Sequence, residues 1–294
     1  MHHDQLATSP GLVRRLLRAQ RPEWAHLSVA PVSSTGTSNA MYRLGDDKVV
    51  RLPLHPSSAA SVYRERRWLP VLAPSLPVGI PAPLHGGEPT AEYPSPWSVV
   101  PWFEGRDATT PPGDLGPLSR DLARFIRALW AIDATDGPRP SVADHGRGVP
   151  LAARDAYTRE AIGASAHLVD TAAITAAWER ALAAPPWRGP PVWIHGDIAS
   201  GNVILRDGRL AAVIDFGCLA VGDPAADLIV AWELFDGPSR ALLRAEVGVD
   251  EATWERGRGW ALSTAIVALP YYEHTNRFMA EQAHRKLEAV LQHH

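Results

Sequence analysis

The sequence predicts an α+β chain of two lobes, a small antiparallel β lobe at the N-terminus and a larger helical lobe carrying one β-insert. Three observations predict it. Between Leu27 and Pro53, short apolar runs alternate with turn residues. Beyond Leu118, apolar side chains recur at helical spacing. Between 192 and 214 the pattern reverts briefly to strands.

Ser9-Pro10 opens a short amphipathic helix with Leu12, Val13, Leu16 and Leu17 on one face, proline being suited to a first helical turn. Three strands follow, SVAPV, AMYRL and KVVRL, joined by the turns SSTGTSN and GDD into an antiparallel meander. A helix is expected from Ser57 to Leu69, with Pro70 as its end. Two further strands are expected at Ala82–His85 and Trp97–Trp102. After WFEGRD and the Pro/Gly-rich TTPPGDLGP the character turns helical, which places a hinge near residue 103 and the lobes at 1–103 and 104–294. Leu118, Leu122, Phe125, Ile126 and Leu129 mark the clearest helix, and two more are expected at Leu151–Ile162 and Thr171–Ala184. The β-insert reads PVWIH, NVILR and RLAAVID, with a turn at Asp207-Gly208, and helices fill most of the chain from Ala225 onward.

Composition narrows the class. Hydrophobic residues make up 46% and charged residues 21%, the balance of a soluble globular protein. A net charge of −3 without any Lys/Arg run argues against a nucleic-acid partner. The single cysteine, Cys218, allows no intrachain disulfide and fits a reducing compartment. MHHDQLATSPGLV has no basic segment ahead of an apolar core, and no apolar stretch reaches the length of a membrane span. A cytoplasmic protein, monomeric or a weak homodimer, with no membrane partner is therefore expected.

HGDIASGN, residues 195–202, lies between Trp193-Ile194 and Val203-Ile204. Read singly, Asp197 and Asn202 are turn residues and Asp215 is a strand-end cap. Read together, Asp197, Asn202 at plus five and Asp215-Phe216-Gly217 reproduce the H-R-D-x-x-x-x-N and D-F-G spacing of phosphoryl transfer, with His195-Gly196-Asp197 in place of His-Arg-Asp. The chemistry needs these types. A carboxylate, Asp197, orients or deprotonates an attacking hydroxyl. Asn202 and Asp215 offer the hard oxygens that Mg²⁺ requires and shares with substrate phosphates.

HGDIASGN, VIDFGCLAVGDPAADLIVAWELF and the upstream VVRLP together resemble the aminoglycoside phosphotransferase family, small-molecule kinases with a protein-kinase-like fold, over about Val29 to Tyr272. The resemblance implies ATP or GTP as phosphoryl donor and a basic residue on the third strand for its phosphates. Lys48 and Arg51 are the candidates, on opposite faces of that strand. Lys48 adjoins the solvated Asp46-Asp47 turn, whereas Arg51 sits between Val49-Val50 and Leu52, where an unpaired charge is costly. Arg51 is expected to bind phosphate, a departure from the lysine of better-known members that its fork geometry permits. Glu65, on a helical face with Val62, Trp68 and Leu69, is its expected partner, against pairing with Arg64, Arg66 or Arg67. Ser34, Thr35, Gly36 and Thr37 stand where a phosphate-covering loop is implied, and Val100 to Trp102 where backbone would meet the adenine edge. Asp223 and Asp227 read as supports of the catalytic loop, His195 as a packed histidine that orients it, and Cys218 as a small buried residue.

The implied acceptor is a small molecule with a hydroxyl, an aminoglycoside-like or other antibiotic and so in some cases a polycation, with resistance as the biological outcome. Glu233, Asp236, Glu273 and Glu281 are candidate acids for a cationic acceptor, and Trp232, Trp260, Tyr271 and Tyr272 candidate walls; surface charge and core are the competing assignments. A metabolite kinase acting on a sugar, homoserine-like or choline-like alcohol is the near rival. A non-catalytic nucleotide-binding module is the distant one, opposed by the intact Asp197, Asn202 and Asp215.

Overall fold

Ser9 accepts a hydrogen bond from Leu12 N (3.1 Å) and starts α1 (Pro10–Gln20), whose Leu12, Val13, Leu16 and Leu17 are all buried, as the apolar stripe predicts. In this computed structural model residues 5–32, 38–141 and 146–292 are described. The chain divides into two units, the first comprising Met1–Gly105 and Ala211–Gly217, the second Arg106–Leu210 and Cys218–His294.

The first unit is built on β1 (Val29–Pro31), β2 (Asn39–Leu44), β3 (Lys48–Pro53), α2 (Ala59–Leu72), β4 (His85–Gly87) and β5 (Trp97–Pro101). Its antiparallel sheet runs in the order β1-β2-β3-β5-β4, with Tyr42 opposite Val50 and Val49 opposite Val100. The stripe of α1 packs with Val29, Tyr42, Leu44, Val50, Leu52, Tyr93, Trp97 and Val99 into one apolar core. Two expected boundaries move. Helix α2 continues through Pro70 to Leu72, because a proline in the exposed last turn gives up a single intrahelical bond where water is at hand. The expected strand at 82–85 pairs instead at 85–87, since Pro81 and Pro83 have no N–H to donate and pairing with β5 begins where Leu84 N reaches Val99 O (2.8 Å). Residues 211–217 join this unit through Gly79, whose N–H donates to Ala211 O (3.1 Å) and whose carbonyl accepts from Val213 N (3.0 Å).

The second unit holds β6 (Arg106–Asp107), α3 (Gly116–Trp130), α4 (Asp155–Ala164), α5 (Thr171–Ala183), β7 (Val192–Ile194), β8 (Val203–Arg206), the start of β9 (Arg209–Val213), β10 (Ala220–Gly222), α6 (Val230–Glu233), α7 (Gly237–Val247), α8 (Glu251–Tyr272) and α9 (Arg277–Leu291). The expected helix over 151–162 is a 3₁₀ turn at Leu151–Arg154 followed by α4. Helix α8 packs against α9 and against the turn Pro224–Ile229, while α3 packs against α7. Trp178, Trp193, Trp260 and Phe125 are fully buried here. Strand β7 pairs antiparallel with β10, Trp193 opposite Val221, so the 195–202 segment leaves the end of a buried strand. Among the described residues no helix is long and apolar enough to cross a membrane.

Candidate active site

The turn after β7 is shaped by its backbone before any side chain acts. Gly196 has φ +77°, and a Cβ there would lie 2.8 Å from Arg147 Cβ and 3.0 Å from Cys218 O, so only glycine fits. Its N–H donates to Asp227 Oδ1 (2.7 Å), while the indole N–H of Trp130 donates to Oδ2 (3.0 Å). Asp227 is fully buried; burial pushes its carboxyl up to about 7, against the opposing pull of the Gly196, Trp130 and His195 N–H donors. His195 is fully buried, and its Nδ1 accepts from Asp197 N (3.2 Å). Asp223 caps the next turn by accepting from Ala225 N (3.0 Å) and pairs with buried Arg256 (2.8 Å). Both aspartates therefore act as supports, one on the turn's backbone and one on the segment after β10.

Asp197 keeps its carboxylate 43% exposed, with Arg147 Nη2 3.5 Å from Oδ1. Asn202 donates from Nδ2 to Asp197 O (3.0 Å), and its own N–H donates to Ala199 O (2.9 Å). With the amide nitrogen committed, Asn202 presents its carbonyl oxygen, the end that a hard cation takes. Ser200, between them, gives both its N–H (2.7 Å) and its hydroxyl (3.0 Å) to Glu233 Oε1 and accepts from Gln282 Nε2 (3.1 Å). Glu233 is in turn paired with Lys286 at 2.5 Å, both nearly buried. This clamp from α6 and α9 was not legible as a site in the sequence. Its one faint signal is compositional, since Lys48 and Lys286 are the only lysines of a chain that otherwise uses arginine.

In the first unit, Arg51 and Glu65 are 8% and 4% exposed and joined by a 2.8 Å bond from Nη1 to Oε2. Arg51 Nη2 also lies 3.6 Å from Asp215 Oδ1. Burial works against the guanidinium charge, but the carboxylates of Glu65 and then Asp215 outweigh it and hold Arg51 protonated above its ordinary value. Asp215 stays 45% exposed and adopts φ +64°, a left-handed conformation that aspartate tolerates better than most residues. Glu65 shares its buried face with Val62, Leu69 and Leu72, while Trp68 is only half-buried. Lys48 pairs with Asp47 (2.6 Å) and lies over the Trp24 ring, away from this cluster's residues. Val100 is buried opposite Val49 on β5, and the Trp102 N–H is taken by Asp47 O (2.8 Å), which leaves that donor committed within the unit. The Trp102 ring carries Arg43 at 4.0 Å from its centroid. Ser34, Thr35, Gly36 and Thr37 lie outside the described residues.

Asn202 offers an amide oxygen and Asp215 a carboxylate, each a donor type that Mg²⁺ accepts. Among the described residues no group of three or more His, Cys, Asp or Glu is placed to hold a metal. Two protein ligands suit Mg²⁺, which takes its remaining positions from phosphates and water.

The candidate acceptor residues are placed less favourably. Glu233 is in the Ser200–Lys286 clamp, and Asp236 caps α7 by accepting from Ser239 N (2.9 Å). Glu273 faces His167 (3.0 Å) and Glu281 pairs with Arg277 (2.7 Å). Trp232 is buried against Trp254, their rings 4.7 Å apart, and Trp260 is fully buried, so both are core. Tyr271 is exposed and packs edge-on against Tyr272. Cys218, expected to be buried, is partly buried.

Comparison with known proteins adds three findings. Residues 29–260 match the model of the phosphotransferase enzyme family, APH. Among solved structures the chain resembles a GDP complex of aminoglycoside 2′-phosphotransferase-IIIa, with a TM-score of 0.73 at 18% identity over 96% of this chain and 99% of that one. It also resembles a macrolide 2′-phosphotransferase apoenzyme from Brachybacterium faecium (TM-score 0.62, 20% identity, 96% and 97% covered) and a streptomycin–ATP ternary complex of APH(2″)-IIa (0.62, 19%, 93% and 94%). At such identities the likeness is one of fold. A comparison with curated protein sequences returned no match.

Proposed function

The chain belongs to the APH phosphotransferase enzyme family, and from that premise we propose that it moves the γ-phosphoryl group of ATP or GTP to a hydroxyl of a small-molecule antibiotic or related alcohol. The observation that carries the reading is the state of the 195–202 turn: Gly196 is bonded to buried Asp227 and the Asp197 backbone to His195 and Asn202, yet the Asp197 carboxylate stays 43% exposed. A carboxylate held this way serves to receive a proton from an incoming hydroxyl. As that oxygen bonds to the γ-phosphorus, the bond from phosphorus to the bridging oxygen breaks, the nucleoside diphosphate leaves with the electron pair, and the hydroxyl proton passes to Asp197. Arg51, pinned by Glu65, is assigned to the nucleotide's phosphates, and Ser34, Thr35, Gly36, Thr37, Val100 and Trp102 to the loop and edge beside the nucleotide. Asn202 and Asp215 are assigned to Mg²⁺, which when bound neutralises phosphate charge.

The placement of Glu233, Asp236, Glu273 and Glu281, each already bonded to a neighbour, favours a second reading in which the acceptor is a less cationic metabolite alcohol. Incubation with ATP or GTP, Mg²⁺ and a panel of aminoglycosides, macrolides, cyclic peptides, sugars and amino alcohols, followed by mass spectrometry, separates the two. A phosphate added to an antibiotic supports the first reading and one added only to a metabolite supports the second. No phosphate on any member, with the γ-phosphate of neither nucleotide released, overturns both.

A further inference from the structure

Phosphoryl transfer spreads negative charge over the group in flight, and enzymes meet it with a cation aimed at that position. The HGDIASGN turn carries no lysine or arginine of its own. The residue that approaches its carboxylate is Arg147, fifty positions upstream, with Nη2 3.5 Å from Asp197 Oδ1. Arg147 is presented by a purpose-shaped turn. Gly146 and Gly148, on either side, have φ of +66° and +80°. The Gly148 carbonyl accepts from Asp223 N (3.0 Å), and the Gly148 backbone lies so close to Gly222 that a Cβ on Gly222 would meet Gly148 O at 2.5 Å. The side chain is also confined: it lies 5.9 Å from the Trp260 ring centroid, and its Cβ sits against Gly196. Its exposure is 16%, and Nε is buried without a hydrogen-bond partner. A guanidinium with five donors, largely buried and hydrogen-bonded among the described residues by one long contact to Asp197, has donor capacity to spare at the open end of that carboxylate.

We propose that Arg147 is a catalytic residue of the phosphotransferase, the cation that contacts the equatorial oxygens of the phosphoryl group as it passes to the hydroxyl held by Asp197. This rests on the reading of the chain as an Asp197-dependent phosphotransferase. In the step written above, the bond made is acceptor oxygen to phosphorus and the bond broken is phosphorus to bridging oxygen. Arg147 exchanges no proton; it contributes charge and two N–H donors while the proton goes to Asp197.

The test needs no acceptor, because water serves. Release of γ-phosphate from ATP and from GTP is measured for wild type, R147A, R147K and D197A, together with binding of ADP and GDP with and without aluminium fluoride, a mimic of the phosphoryl in flight. R147A should lower kcat by roughly 10²–10³-fold with the nucleotide KM changed by less than about threefold, and should lose the extra affinity that fluoride confers. R147K should keep part of both, and thermal melting checks that each variant is folded; should R147A not fold, R147K and R147Q carry the same comparison. A turnover within about threefold of wild type overturns the proposal. So does a lower kcat with the fluoride gain intact, which would make Arg147 a support of Asp197 alone. A wild type that releases no phosphate and gains nothing from fluoride overturns both this assignment and the reading beneath it.

Discussion

Asp197 and Asp227 occupy opposite electrostatic situations thirty residues apart, and the difference assigns their work. Among the described residues Asp197 is open and touched by one cation, whereas Asp227 is sealed beneath the turn and bonded only to N–H groups. Asp197→Ala should therefore lower phosphotransfer by roughly 10²–10⁴-fold while nucleotide binding is largely kept, measured by steady-state kinetics and by titration of a nonhydrolysable nucleotide. Asp227 predicts a pH signature in stability rather than in turnover. Its carboxyl titrates at about 7 in the folded chain against an ordinary 3.8, so the folded state binds this proton more tightly than the unfolded chain does. Its contribution to stability is full below the ordinary value and is lost as pH rises through 7. Denaturant midpoints taken between pH 4 and 8 should fall with rising pH, and Asp227→Asn should flatten that slope; an unchanged slope in the variant would remove Asp227 as its source.

At the scale of elements, the 195–202 turn is held from four sides: β7 behind it, the Pro224–Ile229 turn through Asp227, α6 through Glu233, and α9 through Gln282. Gly196→Ala tests the first constraint. Its left-handed backbone and the 2.8 Å approach to Arg147 Cβ should cost about 1–3 kcal/mol, read from chemical unfolding. The α9 clamp gives a sharper test, because Lys286 and Glu233 form a nearly buried pair. Lys286→Met leaves Glu233 without its counter-charge and should destabilise by about 3–5 kcal/mol. Ser200 loses its fixed acceptor in the same variant, so kcat should fall more than nucleotide affinity does. Adding Glu233→Gln should recover stability without recovering rate, and a double-mutant cycle with no coupling between 233 and 286 would discount the clamp.

For the whole molecule, nucleotide and metal should act as linked ligands of the folded state. Mg²⁺ with ATP or GTP at a hundredfold excess over Kd should stabilise by about 2.7 kcal/mol, seen as a rise in melting temperature. Chelation with EDTA should remove most of that rise, and Asp215→Ala should lack its Mg²⁺-dependent part from the outset. Much of this was legible beforehand. The three strands of the meander, the α1 stripe and the helix over 116–130 follow from local periodicity, which burial on one face enforces. Asp197, Asn202 and Asp215 could be named as candidates because a short turn and the segment that follows it set residue types at a fixed spacing. The pairing of Arg51 with Glu65 was legible for a related reason, since neither charge tolerates burial alone. The course of α2 through Pro70 and the shift of β4 were not, because both depend on whether a missing N–H falls at an exposed helix end or inside a ladder. By itself the sequence determined which groups could perform phosphoryl transfer. Only the tertiary structure decided that Arg147, and Glu233 with its partner Lys286, are brought to that turn. Contacts made across thirty or more residues are chosen by how helices and strands pack, and they leave no spacing in the chain to be read.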